Sequence, residues 1–193
     1  MRSLVFASNN DKKLNEIRPL LPEFKVLSLA EAGIHADLPE TTGTIKGNAI
    51  QKARYLYQIT GFNCFSDDTG LEVNALGGLP GVDTAHYAGP ERDAQRNMQK
   101  LLNALEGQMN REARFVTVIA LVWEGEVFTF EGEVKGSIAY ELKGTGGFGY
   151  DPVFVPEGYE QSFGELSPAI KQQISHRAEA IKKLIAWFGA LKG

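Results

Sequence analysis

The chain has 193 residues, 43% of them hydrophobic and 11 of them Phe, enough to bury a substantial core and to exclude a disordered chain. Its formal net charge is −4, so it lacks the basic surplus of a protein that grips a long nucleic acid through the backbone. With one cysteine, Cys64, it cannot form an intrachain disulfide, and no apolar run approaches membrane-spanning length.

Leu4 to Ala7 is a short apolar run that reads as a buried strand entering the polar turn Ser8-Asn9-Asn10. Asn10 or Asp11 can then cap a helix whose apolar positions are Leu14, Ile17, Leu20 and Leu21, closed by Pro22. Phe24 to Leu27 reads as a second strand, and Ser28-Leu29-Ala30-Glu31 as a capping box opening a short helix that stops at Gly33. Residues 37–43 form a polar loop before a helix over Thr44–Thr60, ended by Gly61. A strand at Cys64–Ser66, a turn at Asp67–Gly70 and a short strand at Leu71–Val73 follow, then the compact loop Gly77–Gly81. Arg92 to Leu105 is helical, with Met98, Leu101, Leu102 and Leu105 on one face.

Phe115–Trp123 and Glu126–Lys135 are β-rich and separated only by Glu124-Gly125, the spacing of an antiparallel hairpin. A glycine-rich loop at Gly144–Tyr150, a strand at Val153–Val155 and a long helix from about Ser175 or just before it complete the chain. Helices alternating with strands, plus one hairpin, predict an α/β fold with a mixed sheet and flanking helices, organised as a single domain over residues 1–193. The N-terminus turns polar at once and offers no signal h-region, which makes the cytoplasm the expected compartment.

Four segments carry candidate chemistry. Ser8-Asn9-Asn10-Asp11-Lys12-Lys13 sits at a strand-to-helix turn, where backbone N–H groups, Asn10 and Lys13 offer donors to phosphate; an ordinary helix cap is the alternative. Asp67 and Asp68 are adjacent carboxylates that repel unless a cation compensates, so one could bind Mg²⁺ while the other takes a proton from water. Glu40, in the earlier acidic loop, could complete the metal site or simply be solvated. In Gly144–Pro152, Phe148 and Tyr150 stand between glycines and suit stacking on a base, or tuck onto the core. Ser175-His176-Arg177, with Lys171 upstream, makes a donor-rich corner or an exposed capped helix start, and Lys52 could face phosphates or solvent. Three His and one Cys do not make a zinc site, and no Gly-x-Ser-x-Gly elbow occurs.

In order along the chain stand Ser-x-Asn-x-x-Lys, Asn-Ala-x-x-Lys-Ala, Asp-Asp-Thr-Gly-Leu, Gly-Gly-x-Pro-Gly, Gly-Thr-Gly-Gly-Phe-Gly-Tyr-Asp-Pro and Ile-Ser-His-Arg. This series, from Phe6 to Ala178, resembles the noncanonical purine triphosphate pyrophosphatases, the inosine triphosphate/xanthosine triphosphate pyrophosphatase (ITPase) family. The resemblance implies an elongated mixed sheet in two lobes around a central cleft, dependence on Mg²⁺, and a homodimer with no nucleic-acid or membrane partner. It assigns Ser8, Asn9, Asn10, Asp11, Lys12 and Lys13 to the substrate, chiefly its triphosphate. Asp68 matches the general base, Lys52 a lysine near the phosphates that belongs with it, and Glu40, Asp68 and Asp67 the metal positions. Thr69, Phe148, Gly149, Tyr150, Asp151, Lys171, His176 and Arg177 match nucleotide-binding positions. Departures from the pattern are Thr69 for a commoner Ser, His86 for Arg, Gly47 for a frequent Glu before Asn48, and Ile170 for Glu before Lys171.

The resulting expectation is hydrolysis of inosine, deoxyinosine or xanthosine triphosphate to monophosphate and pyrophosphate. The Arg177/His176 corner would meet the 6-carbonyl oxygen that adenine lacks. Two rival readings are a pyrophosphatase for modified pyrimidine triphosphates and a nucleotide sensor without turnover. Phe148 and the Ser-His-Arg ending count against the first, and Asp67, Asp68 and Lys52 together against the second.

Overall fold

A computed structural model of the protein describes residues 2–191. Its elements are β1 (Arg2–Phe6), α1 (Asp11–Ile17), β2 (Phe24–Leu27), α2 (Ile45–Thr60), β3 (Cys64–Val73) and β4 (Pro80–Gly81), then α3 (Ala94–Ala104), β5 (Glu112–Trp123), β6 (Glu126–Ile138), β7 (Phe154–Pro156), α4 (Pro168–Ile174) and α5 (His176–Ala190). The strands pair in the order β2-β1-β3-β5-β6-β7, with β4 on β3. β1 runs parallel to β2 and β3, whereas β3–β4 and β6–β7 are antiparallel, so the predicted mixed α/β sheet is present. The chain clusters into two compact units: one holds the residues up to Asp68, Thr117–Gly132 and those from His176 onward, the other Thr69–Val116 and Glu133–Ser175.

In the first unit the sheet is covered on both faces, which is why its strands read as continuous apolar runs rather than alternating ones. Leu4, Phe6, Phe65, Ile119 and Leu121 point to one face, where Leu14 and Ile17 of α1 and Ile181, Leu184 and Phe188 of α5 bury them. Val5, Ala7, Cys64, Val118 and Ala120 point to the other, against Ala49, Ala53 and Leu56 of α2. The small residues on α2 let it lie close to the strands. Phe6 and Phe65 are wholly buried and stack with ring centroids 4.8 Å apart, so truncating either to Ala should cost about 3–5 kcal/mol. Burial pushes the Cys64 thiol up to about 12, which makes it an inert core group.

The second unit has its own core, in which Met98, Leu101 and Leu105 meet Leu71, Val73, Phe115, Ile138, Phe154 and Phe163. The buried Arg111 guanidinium donates to the carbonyls of Ile138 (2.6 Å), Leu105 (3.1 Å) and Ala139 (2.7 Å), which ties the end of α3 to the end of β6. Here a cation is structural because carbonyl oxygens satisfy it.

The hairpin forms as the spacing predicts. Glu124 and Gly125 take φ values of 52° and 89°, the two positive angles that match a tight turn to the twist of its strands.

Three expectations are corrected, and one helix is added. Ser28–Gly33 is a closed turn and not a helix: the capping-box bonds form (Ser28 N–H to Glu31 Oε2, 2.8 Å; Glu31 N–H to Ser28 Oγ, 3.1 Å), but Gly33 at φ 71° reverses the chain within one turn. Asp67–Gly70 is not a turn between two strands, because β3 passes straight through it, pairing with β1 at Phe65 and with β4 at Leu71. The first helix ends at Ile17, and a three-residue 3-10 turn carries Arg18–Leu20, where Pro19 offers no N–H to continue the α ladder. A further helix, α4, precedes the last one. It ends at Ile174, Ser175 is extended (φ −70°, ψ 153°), and α5 begins at His176, where the last helix is expected.

Candidate active site

In the first unit the strand that replaces the expected turn sets the two aspartates on opposite faces of β3. Asp67 is buried, and its carboxylate accepts from Lys13 Nζ at Oδ1 (2.7 Å) and from Arg177 Nε at Oδ2 (3.1 Å). Arg177 also donates through Nη1 to Glu16 Oε2. Asp68 is half-buried and pairs with Lys52 Nζ at 3.2 Å. The same ammonium donates to Glu40 Oε1 (2.5 Å) and to the Asp67 carbonyl (2.8 Å). Three cations and four carboxylates thus interlock, with Lys52 at the centre of one half and Asp67 at the centre of the other.

The electrostatics separate the adjacent carboxyls. Burial alone would raise the pKa of Asp67, but Lys13, Arg177 and Lys52 together hold it well below the usual carboxylate range. Asp68 is shifted upward: burial raises it, the nearby Glu40 charge adds to that, and Lys52 and Lys13 only partly offset both. Lys13 is lowered, first by burial and then by Arg177 and Lys52, against the pull of Asp67. Burial works against the charge on Lys52, yet Asp68, Asp67 and Glu40 together raise it, so it stays an ammonium. One carboxylate is therefore held ionised and occupied, and its neighbour is the better proton acceptor.

The first loop is organised by its own side chains. Asn10 Oδ1 caps α1 by accepting from Lys13 N–H (3.2 Å), Ser8 Oγ accepts from Asn10 N–H (3.0 Å), and Asn9 Oδ1 accepts from Ala30 N–H (2.9 Å). Asp11 and Lys12 are exposed.

In the second unit Asp151 is the organiser. Its buried Oδ2 accepts from Phe148 N–H (2.7 Å) and from Lys171 Nζ (2.6 Å), and that ammonium lies 4.6 Å from the Phe148 ring centroid. Phe148, Gly149 and Thr69 are half-buried. Tyr150 corrects an expectation: it is a core residue and not a second stacking aromatic, and its O–H donates to the Thr84 carbonyl at 2.8 Å. Burial accordingly raises the Tyr150 phenol. Ile170, where the resemblance expects Glu, packs on this core.

The Ham1 family model matches residues 4–187. The chain belongs to the Ham1 family. It is 51% identical over 190 residues to the dITP/XTP pyrophosphatase of Flavobacterium johnsoniae, covering 98% of this chain and 99% of that one. It is 50% identical over 186 residues to the dITP/XTP pyrophosphatase of Porphyromonas gingivalis, covering 95% and 96%. Among solved structures, the Ham1 protein of Staphylococcus aureus superposes with a TM-score of 0.90 at 38% identity, covering 98% of this chain and 99% of that one. A HAM1 protein from Coxiella burnetii superposes with a TM-score of 0.91 at 37% identity, covering 98% and 100%.

Within this Ham1-family chain the structure gathers Lys13, Glu40, Lys52, Asp67, Asp68 and Arg177 around one charge network, and Phe148, Asp151 and Lys171 around another. His176 and Arg177 are buried, so the expected alternative of exposed basic residues at the helix start does not hold. Asp67, expected beside the metal, uses both oxygens on cationic side chains. Glu16 is a member that the sequence reading passed over. The available signal was its spacing: it lies three residues after Lys13 on α1, on the same side of the helix. Among the described residues, no helix is long and apolar enough to cross a membrane.

Proposed function

We propose that this chain hydrolyses deaminated purine nucleoside triphosphates (ITP, dITP and XTP) to the monophosphate and pyrophosphate. The observation that carries the reading is the different company of two adjacent carboxylates: Lys13 and Arg177 occupy Asp67, while Asp68 shares the Lys52 ammonium with Glu40. The relatives named dITP/XTP pyrophosphatase support the substrate class.

Asp68 orients a water and accepts its proton as the oxygen attacks the α-phosphorus, with the α–β bridging oxygen leaving on pyrophosphate. Lys13 and Lys52 neutralise the phosphate oxygens as negative charge shifts to the leaving group. Ser8 to Lys12 frame the triphosphate beside them. Asp67 contributes by holding Lys13 and Arg177 in place.

The donor set fits a hard divalent cation. Glu40 and Asp68 present carboxylate oxygens that already converge on a cationic centre, the Lys52 ammonium. Two carboxylates completed by substrate phosphates is the coordination habit of Mg²⁺. Glu40 and Asp68 would hold it, with Asp67 adjacent, and it would supply charge neutralisation on the phosphates.

By the family resemblance, Thr69, Phe148 through Asp151 and Lys171 of the second unit, and His176 and Arg177 of the first, are nucleotide-binding positions. Phe148 offers the stacking face, and Tyr150 supports it from the core. Donors aimed at a 6-carbonyl would reject adenine, whose 6-amino group leaves donors facing donors. Both units are assigned to one catalytic domain over residues 1–193, acting as a homodimer in the cytoplasm; these last points rest on the family resemblance and on the single-cysteine composition.

A panel of ITP, dITP, XTP, GTP, ATP and dUTP with Mg²⁺, read for pyrophosphate against orthophosphate, tests the reading. Pyrophosphate from ITP and XTP, lost on chelation, is expected. Orthophosphate as the direct product, or inert ITP and XTP, overturns it.

A further inference from the structure

Glu40 lies in a loop without regular secondary structure, yet a metal-binding carboxylate must be held closely in place. The loop is fastened side chain by side chain to α2. Asn48 Oδ1 accepts from both Thr42 N–H (3.0 Å) and Thr42 Oγ1 (2.9 Å). Gln51 uses both ends of its amide on Thr41: Oε1 accepts from the backbone N–H (2.9 Å), and Nε2 donates to Oγ1 (2.8 Å). Lys52 then reaches Glu40 itself.

Positions 48, 51 and 52 lie on one face of the helix, spaced by three and four residues, and they engage 42, 41 and 40 in that order. The loop therefore runs back along α2 in register. Gly47 makes the register possible. A Cβ there would stand 2.2 Å from Thr42 Oγ1 and 2.7 Å from Thr42 Cβ, so the glycine, standing where the resemblance expects Glu, leaves the space that the threonine fills.

We propose that Gln51 and Asn48 are positioning residues that set Glu40 for the divalent cation, through a clasp on Thr41 and Thr42 that Gly47 admits. The proposal rests on the reading of Glu40 as a metal ligand. Gln51 is the more informative arm, because both its amide ends are spent on one loop residue, immediately next to Glu40.

The test measures Mn²⁺ as the probe, by electron paramagnetic resonance of the free ion, on the full chain saturated with an α,β-imido analogue of ITP. Gln51→Met removes the clasp from the helix side, and Thr41→Val removes the hydroxyl end from the loop side. Each should weaken Mn²⁺ binding, Gln51→Met by about tenfold, the change that two modest hydrogen bonds sustain. The double variant should be no weaker than Gln51→Met alone, because both cut the same link. Turnover at saturating metal should stay within about twofold of wild type while the metal concentration for half-maximal activity rises, a split that a general loss of structure would not produce.

Unchanged Mn²⁺ affinity in Gln51→Met, with Glu40→Gln strongly weakened, overturns the clasp and leaves the metal assignment standing. Unchanged affinity in Glu40→Gln overturns the metal assignment and the clasp with it. If Gln51→Met melts early, Thr41→Val at its exposed position decides alone: weaker Mn²⁺ binding at an unchanged melting temperature upholds the clasp, and wild-type binding overturns it.

Discussion

Arg177 and Asp67 stand 110 residues apart in the chain, yet Arg177 Nε donates to Asp67 Oδ2 at 3.1 Å with both side chains almost wholly buried. The other Asp67 oxygen is taken by Lys13, and Arg177 reaches on to Glu16. A charge pair this deep is tolerated only because each ion has several partners. It ties the start of α5 to β3 and β3 to α1.

Removing one member should leave an uncompensated buried charge. Arg177→Leu is expected to destabilise the protein by about 3–5 kcal/mol in urea unfolding, and Asp67→Asn by a similar amount. The double variant should lose less than the sum, and a double-mutant cycle reads the coupling.

The same pair predicts an acid limit to stability. The native pKa of Asp67 is depressed, so its contribution is present above the unfolded value of about 3.9 and fades as pH falls toward the native one. Stability should drop below about pH 4 in wild type, and Asp67→Asn should flatten that slope. Unfolding free energies across the acid range check this.

Asp68 should place an acid limit on turnover, separate from the limit on stability. A base must be unprotonated, so kcat/KM should fall in acid as Asp68 takes up its proton. Asp68→Asn should reduce kcat by at least about 100-fold while nucleotide still binds. Turnover close to wild type would remove Asp68 from the mechanism.

The two aromatics of the glycine-rich loop should part company. Phe148→Ala should raise KM for purine triphosphates, with about 1–3 kcal/mol of stacking lost and little change in melting temperature. Tyr150→Phe should instead lower the melting temperature, because the buried Thr84 carbonyl loses its donor, at about 1–3 kcal/mol. Steady-state kinetics and calorimetry on both variants separate the roles.

Much of the site was legible as residue types in order. Asp67-Asp68 announced a cation, and Phe148 between glycines announced a partly uncommitted aromatic face. What misled was local grammar: Asp-Asp-Thr-Gly reads as a turn, and Ser-Leu-Ala-Glu as a helix start. Pairing with β1 and β4 keeps the first extended, and the reversal at Gly33 stops the second after one turn. Tyr150 looked like a twin of Phe148 because spacing carries no information on depth; its hydroxyl found a carbonyl 66 residues away.

The sequence by itself determined the α/β class, the hairpin at Glu124-Gly125, the helix stop at Gly61 and the family, since these depend on local periodicity, turn chemistry and motif order. Only the tertiary structure decided how Asp67 and Asp68 divide their work. Adjacent in sequence and identical in chemistry, they fall on opposite faces of β3, where one meets Lys13 and Arg177 and the other meets Lys52. A carboxyl's proton affinity is set by burial and by charges within a few ångströms, and those come from segments far apart in the chain.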